Sequence, residues 1–191
     1  MKTLINYLLL CFLTISFINA QTVSGNLFQL TNQEIRLEGF NGLNTYSISK
    51  TVTNEKGGFE LSYTTKDRGV GYLISANKKP LFVILCGEDI QLQGEALSFP
   101  ESISITKGEQ NKNFEQYAEE QPKREQALSA WIYLQKMYAF DSLFALHSEP
   151  IKAIEEEQQR IKTEEETFLN QLPKESYVRW FLPTRKLVSS V

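Results

Sequence analysis

The chain has 191 residues, 41% of them hydrophobic, and a formal net charge of -3. That length fits one ordinary domain or a small domain with an appendage, and the mildly acidic balance argues against a nucleic-acid backbone as partner. With two cysteines, Cys11 and Cys86, and one histidine, His147, the chain lacks the Cys/His clusters that zinc and iron sites need.

Residues 1–20, "MKTLINYLLLCFLTISFINA", carry one early positive charge, Lys2, then an apolar run and a small residue, Ala20. This is the layout of a secretory signal. The run is short for a membrane span, which needs ~20 apolar residues, and no basic flank follows it. Cleavage after Ala20 releases a chain that starts at Gln21, exported to the periplasm or cell envelope, with no transmembrane helix. Losing Lys2 takes the formal charge from -3 to -4. A lipid anchor at Cys11 is not expected, because the bulky Leu10 precedes it. Cys86 is then left alone, so no intramolecular disulfide forms and apolar burial must hold the fold together.

From residue 21 to 107 the grammar is that of short strands and turns. "TVSGNLFQL" and "QEIRLEGF" alternate apolar and polar residues, with Ile35 and Leu37 on one face. "NEKGGFELSY" reads as a tight hairpin turn, Asn54 to Gly58, before a strand with Phe59, Leu61 and Tyr63 on one side. "GVGYLISA" and "LFVILC" are apolar on both faces and read as central strands, joined by a turn at "NKKP". The Gly87–Glu88–Asp89 turn reverses the chain as a hairpin into "IQLQGE", where Ile90 and Leu92 face inward. "SISI" at 102–105 closes the series. Seven or eight strands with tight turns predict an antiparallel β-sandwich or open barrel.

From residue 108 to 191 the period is helical. Phe114, Tyr117 and Ala118 open the first face, Pro122 interrupts it, and Leu128, Trp131, Ile132, Gln135 and Tyr138 mark a second. Ser148 and Pro150 start another helix with a thin stripe of Ile154, Ile161 and Phe168. Its glutamates read as a solvated face, with Glu156 and Arg160 spaced to pair. The segment from Ser176 carries Tyr177, Trp180, Phe181, Leu187, Val188 and Val191, bends at Pro183 and ends without a cap. That ending is read as a chain cut short of its natural domain or docking on a partner. The predicted class is therefore α+β: a β domain over 21–107, then a helical region of three or so helices over 108–191.

No catalytic, cofactor-binding or metal-ligating residue is expected, and no cofactor. A nucleophile needs a base beside it, and His147 sits in a polar junction between helices. "GFNGLNTY" lacks the lysine of a phosphate-binding loop. Glu88 and Asp89 are read as solvated turn residues. Cys86 shares a side with Phe82 and Ile84. It is a small hydrophobe if that side is core, and near the surface if the strand has ended. Either way Glu88 and Asp89 disfavour a thiolate, so the cysteine reads as a passenger.

The series "TVTNEKGGFELSY", "GVGYLI" and "LFVILCGEDIQLQGE" resembles the β-rich domain of unknown function that precedes TlpA/AhpC-type thioredoxin-like domains in bacterial envelope proteins. Asn54, Gly57 or Gly58, and Phe59 match that family's turn into a strand; Gly87, Glu88 and Gly94 match its later glycine-acid turn. "ITKGEQNKNFEQY", "PKREQALSAWIYLQKMY" and "SYVRWFLPTRKLVSSV" are similar to the stretch after the sheet and the helical linker. The resemblance implies an accessory role beside a thiol–disulfide oxidoreductase, with a protein partner or a C-terminal thioredoxin-like domain packing on the helical region. The redox domain and its paired cysteines are missing, so the family's activity does not carry over. The competing expectation is a freestanding secreted sandwich that binds a peptide or glycan, with Phe40, Tyr46 and Tyr72 as contacts. An enzyme ranks last, and neither a ligand nor an oligomeric state follows from the sequence.

Overall fold

The computed structural model describes residues 20–75 and 80–189, with side chains to 185. The signal segment, Cys11, most of the "NKKP" turn and Val191 lie outside the described residues, as do the Leu187 and Val188 side chains. The protein is α+β and divides into two compact units, between Ile103 and Ser104.

The first unit holds β1 (Gln21–Leu27), β2 (Glu34–Asn41), β3 (Asn44–Val52), β4 (Gly58–Tyr63), β5 (Gly69–Ser75), β6 (Leu81–Leu85) and β7 (Ile90–Gly94). These strands form two sheets, one ordered β3-β2-β5-β6, the other containing β4-β1-β7. Neither closes into a barrel, so the architecture is the expected sandwich. Side-chain alternation sets the inner faces. Ile35 and Leu37 are buried on β2, Phe59, Leu61 and Tyr63 on β4, and Ile90 and Leu92 on β7, while Glu60, Ser62, Gln91 and Gln93 face solvent. The pairings of β1/β4, β2/β3, β2/β5 and β5/β6 are antiparallel. β1 and β7 pair in parallel, which the reading of an all-antiparallel unit did not anticipate.

The connections differ most from expectation. β3 and β6 belong to one sheet, β4 and β7 to the other. The turns at Asn54–Gly58 and Gly87–Asp89 therefore carry the chain across the sandwich; neither closes a hairpin. At the first crossing, Asn54 Oδ1 accepts from the backbone N–H of Lys56 (2.8 Å) and Gly58 (2.9 Å). Gly57 has φ +78°, and a Cβ there would lie 2.0 Å from the Leu27 carbonyl oxygen, so only glycine fits. The hairpin between β2 and β3 turns at Gly42, φ +62°, followed by Leu43, as in a type II′ turn. β6 is not a central strand: it lies at the edge of its sheet. Its apolar sequence has another cause. Val83 and Leu85 face the core with Leu73, and Ile84 is also fully buried.

The second unit begins with β8 (Ser104–Lys107) and continues into α1 (Glu109–Phe140), α2 (Glu149–Gln171) and α3 (Tyr177–Ser189). Pro122 does not interrupt α1, which runs through it. The pairs Glu119–Lys123 and Glu120–Arg124 and the Gln121–Glu125 hydrogen bond all straddle the proline, supporting the turn that its missing N–H weakens. α2 starts after Ser148 as expected, but the serine side chain makes no capping bond. Arg160 pairs with Glu157 (2.6 Å) and Glu164 (2.5 Å), while Glu156 faces Lys152. A side chain one turn ahead and another three residues behind outcompete the expected Glu156 partner. In α3, Pro183 lies within the helix and Val178 and Leu182 are buried among the described side chains; Trp180 is 54% exposed. Ser176 Oγ accepts from Arg179 N–H at the start of α3 and donates to Gln110 Oε1 of α1.

Candidate functional site

Cys86 directly follows β6, half-buried, where the chain leaves one sheet for the other. Burial pushes its thiol up to about 12, and the nearby Glu88 adds to the effect, against a weaker opposing pull from Arg68. The turn that follows is tied down on two sides. Tyr63 of β4 donates its phenol proton to the Glu88 carbonyl (2.5 Å) and accepts from Gly87 N–H (3.3 Å). Asp89 accepts from the Thr22 backbone N–H (3.1 Å) and hydroxyl (3.2 Å). Glu88 and Asp89 thus belong to a structural knot, and Asp89 is more than a solvated turn residue. The setting opposes thiolate formation, the reverse of what a nucleophilic cysteine needs.

On the outer face of the β3-β2-β5-β6 sheet, Phe40, Tyr72 and Phe82 stand on three adjacent strands. The Phe40 and Tyr72 rings are 5.5 Å apart and the Tyr72 and Phe82 rings 6.3 Å. Pairing of Tyr72 with both Glu38 and Phe82 puts these side chains on the face opposite Leu37 and Leu73. Phe40 is 47% exposed and Phe82 51%. The Tyr72 hydroxyl donates to Glu38 Oε2 (2.9 Å), and Arg36 Nη1 lies 3.6 Å from Glu38 Oε1. The result is a ridge of three rings with a polar flank. Of the aromatics singled out in the sequence, Phe40 and Tyr72 meet here, while Tyr46 is held by its hydroxyl to Asp67 (3.0 Å). Nothing in the sequence marks Phe82 as exposed, because it shares a side of β6 with the buried Ile84. The Tyr72–Phe82 register that exposes it is a long-range fact.

In the helical unit, His147 is exposed in the α1–α2 connection. Beyond Gln121, α1 has no buried residue among those described. Ile132, Tyr133 and Phe140 on α1, and Leu143 and Leu146 in the connection, are exposed, Phe140 to 86% and Leu146 to 85%. Nearer the start of α1, Tyr117 donates its hydroxyl to Glu165 Oε1 of α2 (2.9 Å), with both residues buried. Glu165 therefore sits on the inner stripe with Ile154 and Ile161, an exception to the solvated glutamate face. Burial, with Glu165 second, pushes the Tyr117 phenol up. Among the described residues no group of three or more His, Cys, Asp or Glu side chains is placed to hold a metal ion, and no helix is long and apolar enough to cross a membrane.

No protein-family model and no curated protein matches the chain. Among solved structures, a 9R-lipoxygenase from Cyanothece PCC8801 is similar at 22% identity over 40% of this chain, with a TM-score of 0.27. The chain spans only 15% of that structure's length, and a likeness this slight carries no argument about fold or activity.

Proposed function

We propose that this chain is a non-catalytic accessory module of an exported thiol–disulfide oxidoreductase-family protein, and that its helical hairpin docks a protein partner or a thioredoxin-like domain. The observation that carries the reading is the apolar far end of the hairpin, where Phe140, Leu143 and Leu146 are exposed. Apolar side chains grouped in this way mark docking surfaces in folded proteins. The raised thiol of Cys86 supports a role outside the redox chemistry itself. The signal layout of residues 1–20 supports placement in the periplasm or envelope. A photo-crosslinker at Leu143, used in cells that export the protein, tests the reading. It predicts cross-links to a thioredoxin-like domain with paired cysteines, lost in a Phe140→Ser/Leu146→Ser variant. Cross-links confined to other proteins, or unchanged in that variant, overturn it.

The aromatic ridge of Phe40, Tyr72 and Phe82 favours a second reading, a sandwich that binds a peptide or glycan on its outer sheet. Rings presented beside a carboxylate and a guanidinium offer stacking surface and hydrogen bonds together. Retardation in gels containing envelope polysaccharide, or binding to peptides in a fluorescence titration, is expected to fall at least tenfold in Phe40→Ala/Phe82→Ala. Absence of any binding in both assays removes this reading and leaves the first intact.

A further inference from the structure

A cavity of about 300 Å³ lies in the helical unit between α1 and α3, within the size range of small-ligand pockets. One stripe of α1 supplies Tyr117, Ala118, Gln121, Pro122 and Glu125, and α3 supplies the apolar Leu182 and the charged Arg185. The stripe is dominated by hydrogen-bond acceptors. The Tyr117 proton is committed to Glu165, so the phenol oxygen has only lone pairs left to offer. Pro122 has no N–H, so the Ala118 carbonyl lacks its normal helical donor. Gln121 is only 7% exposed; its amide N–H donates to Glu125 Oε1 (3.2 Å), while its Oε1 is buried without a hydrogen-bond partner. A buried acceptor left unsatisfied is costly, and native proteins seldom keep one without a use. Glu125 adds negative charge, and among the described residues the Arg185 guanidinium is the positive group lining the cavity.

We propose that this cavity binds a small zwitterion, its primary ammonium received by the Gln121 carbonyl oxygen, the Ala118 carbonyl and Glu125, and its carboxylate facing Arg185. An ammonium brings three donors and no acceptor, the complement of this lining. A neutral alcohol brings one donor and no charge, and an isolated carboxylate meets Glu125. The site goes beyond the docking role above: it uses neither the hairpin end nor the outer sheet.

Isothermal titration of the purified full chain with 4-aminobutyrate tests the proposal, with butyrate and 1-butanol as matched probes. Saturable binding of 4-aminobutyrate is expected, at least tenfold tighter than either comparison compound. Gln121→Leu is expected to weaken it at least tenfold. So is Glu125→Gln, an exposed position whose change leaves the helix intact. Arg185→Gln is expected to weaken 4-aminobutyrate while leaving the weaker binding of n-butylammonium unchanged. The proposal is overturned by absence of saturable binding to millimolar concentration, by equal binding of 1-butanol, or by unaltered affinity in folded Glu125→Gln.

Discussion

The two units bury different things. In the sandwich the interior is closed by apolar side chains: Leu37, Leu73, Ile90 and Leu92 are at most 1% exposed, and the buried polar residues are small, Thr53 and Ser75. In the helical unit the apolar stripe is thin, and Asn111, Gln121, Glu165 and Ser176 are buried with it. Strands stacked face to face share two apolar layers, so alternation alone suffices to fill the middle. Two long antiparallel helices and one short one leave much of each helix without a facing layer. Polar contacts such as Tyr117–Glu165 and Ser176–Gln110 then fix how the helices meet. The same shortage of apolar cover leaves the hairpin end exposed.

The largest expected effect tests the closed core. Leu37→Ala removes a fully buried side chain from the middle of β2 and is predicted to cost about 2–5 kcal/mol. Both tryptophans, Trp131 and Trp180, lie in the helical unit. Urea unfolding followed by amide exchange of the strands is expected to shift markedly, and tryptophan fluorescence much less. Equal shifts by both probes would mean that the two units unfold together, and the contrast between them would lose its energetic content.

An intermediate effect is expected at the polar interior. Tyr117→Phe keeps the ring against Phe168, 5.9 Å away, but removes a donor from the buried Glu165 carboxylate. Loss of about 1.5–3 kcal/mol is expected, the range for a hydrogen bond to a charged group. Thermal melts of the variant and of Glu165→Gln measure it. If Tyr117→Phe is neutral, the helical interior is not held by its polar contacts.

Which features could be read from the sequence follows the same division. Period-two patterns predicted the inner faces of β2, β4 and β7 because each depends only on residues two apart. Strand pairing depends on residues far apart. The turns at Gly57 and Gly87 therefore read as hairpins, whereas they cross between sheets. The Asn41–Gly42 pair is a strong hairpin signal, and it closes the β2–β3 hairpin that testing "GFNGLNTY" only against a phosphate loop overlooks. Pro122 shows the limit of local rules in the helices, since side-chain pairs across it outweigh one lost backbone bond. Phe40, Tyr46 and Tyr72 stand out in the sequence as aromatic contacts, but the ridge needs Phe82, which only the β5/β6 register brings alongside. Glu165 gave no signal at all; it is one glutamate in a run of them, and its burial is set by the position of Tyr117 on another helix.

The smallest expected effect concerns Cys86 and the sign of its response to pH. An ordinary thiol titrates near ~8.5. In the fold the thiol is pushed up to about 12, so the folded state keeps its proton where the unfolded chain has lost it. Between those values the unfolded state binds fewer protons, and stability must fall as pH rises. Tyr63, also pushed up to about 12 by burial, adds a decline in the same direction that starts later, near ~10. Cys86→Ala is therefore expected to flatten the stability profile between pH 8.5 and 10 and to leave the steeper loss above pH 10. Urea midpoints across that range measure it, and an unchanged slope between pH 8.5 and 10 would show that the thiol is not held protonated. Alkylation by iodoacetamide at pH 7.4 gives an independent reading: on the order of a hundredfold slower in the native protein than in urea, because the thiolate is the reacting form. Rapid native alkylation would place Cys86 among reactive thiols and reopen the question of redox work in the sandwich itself.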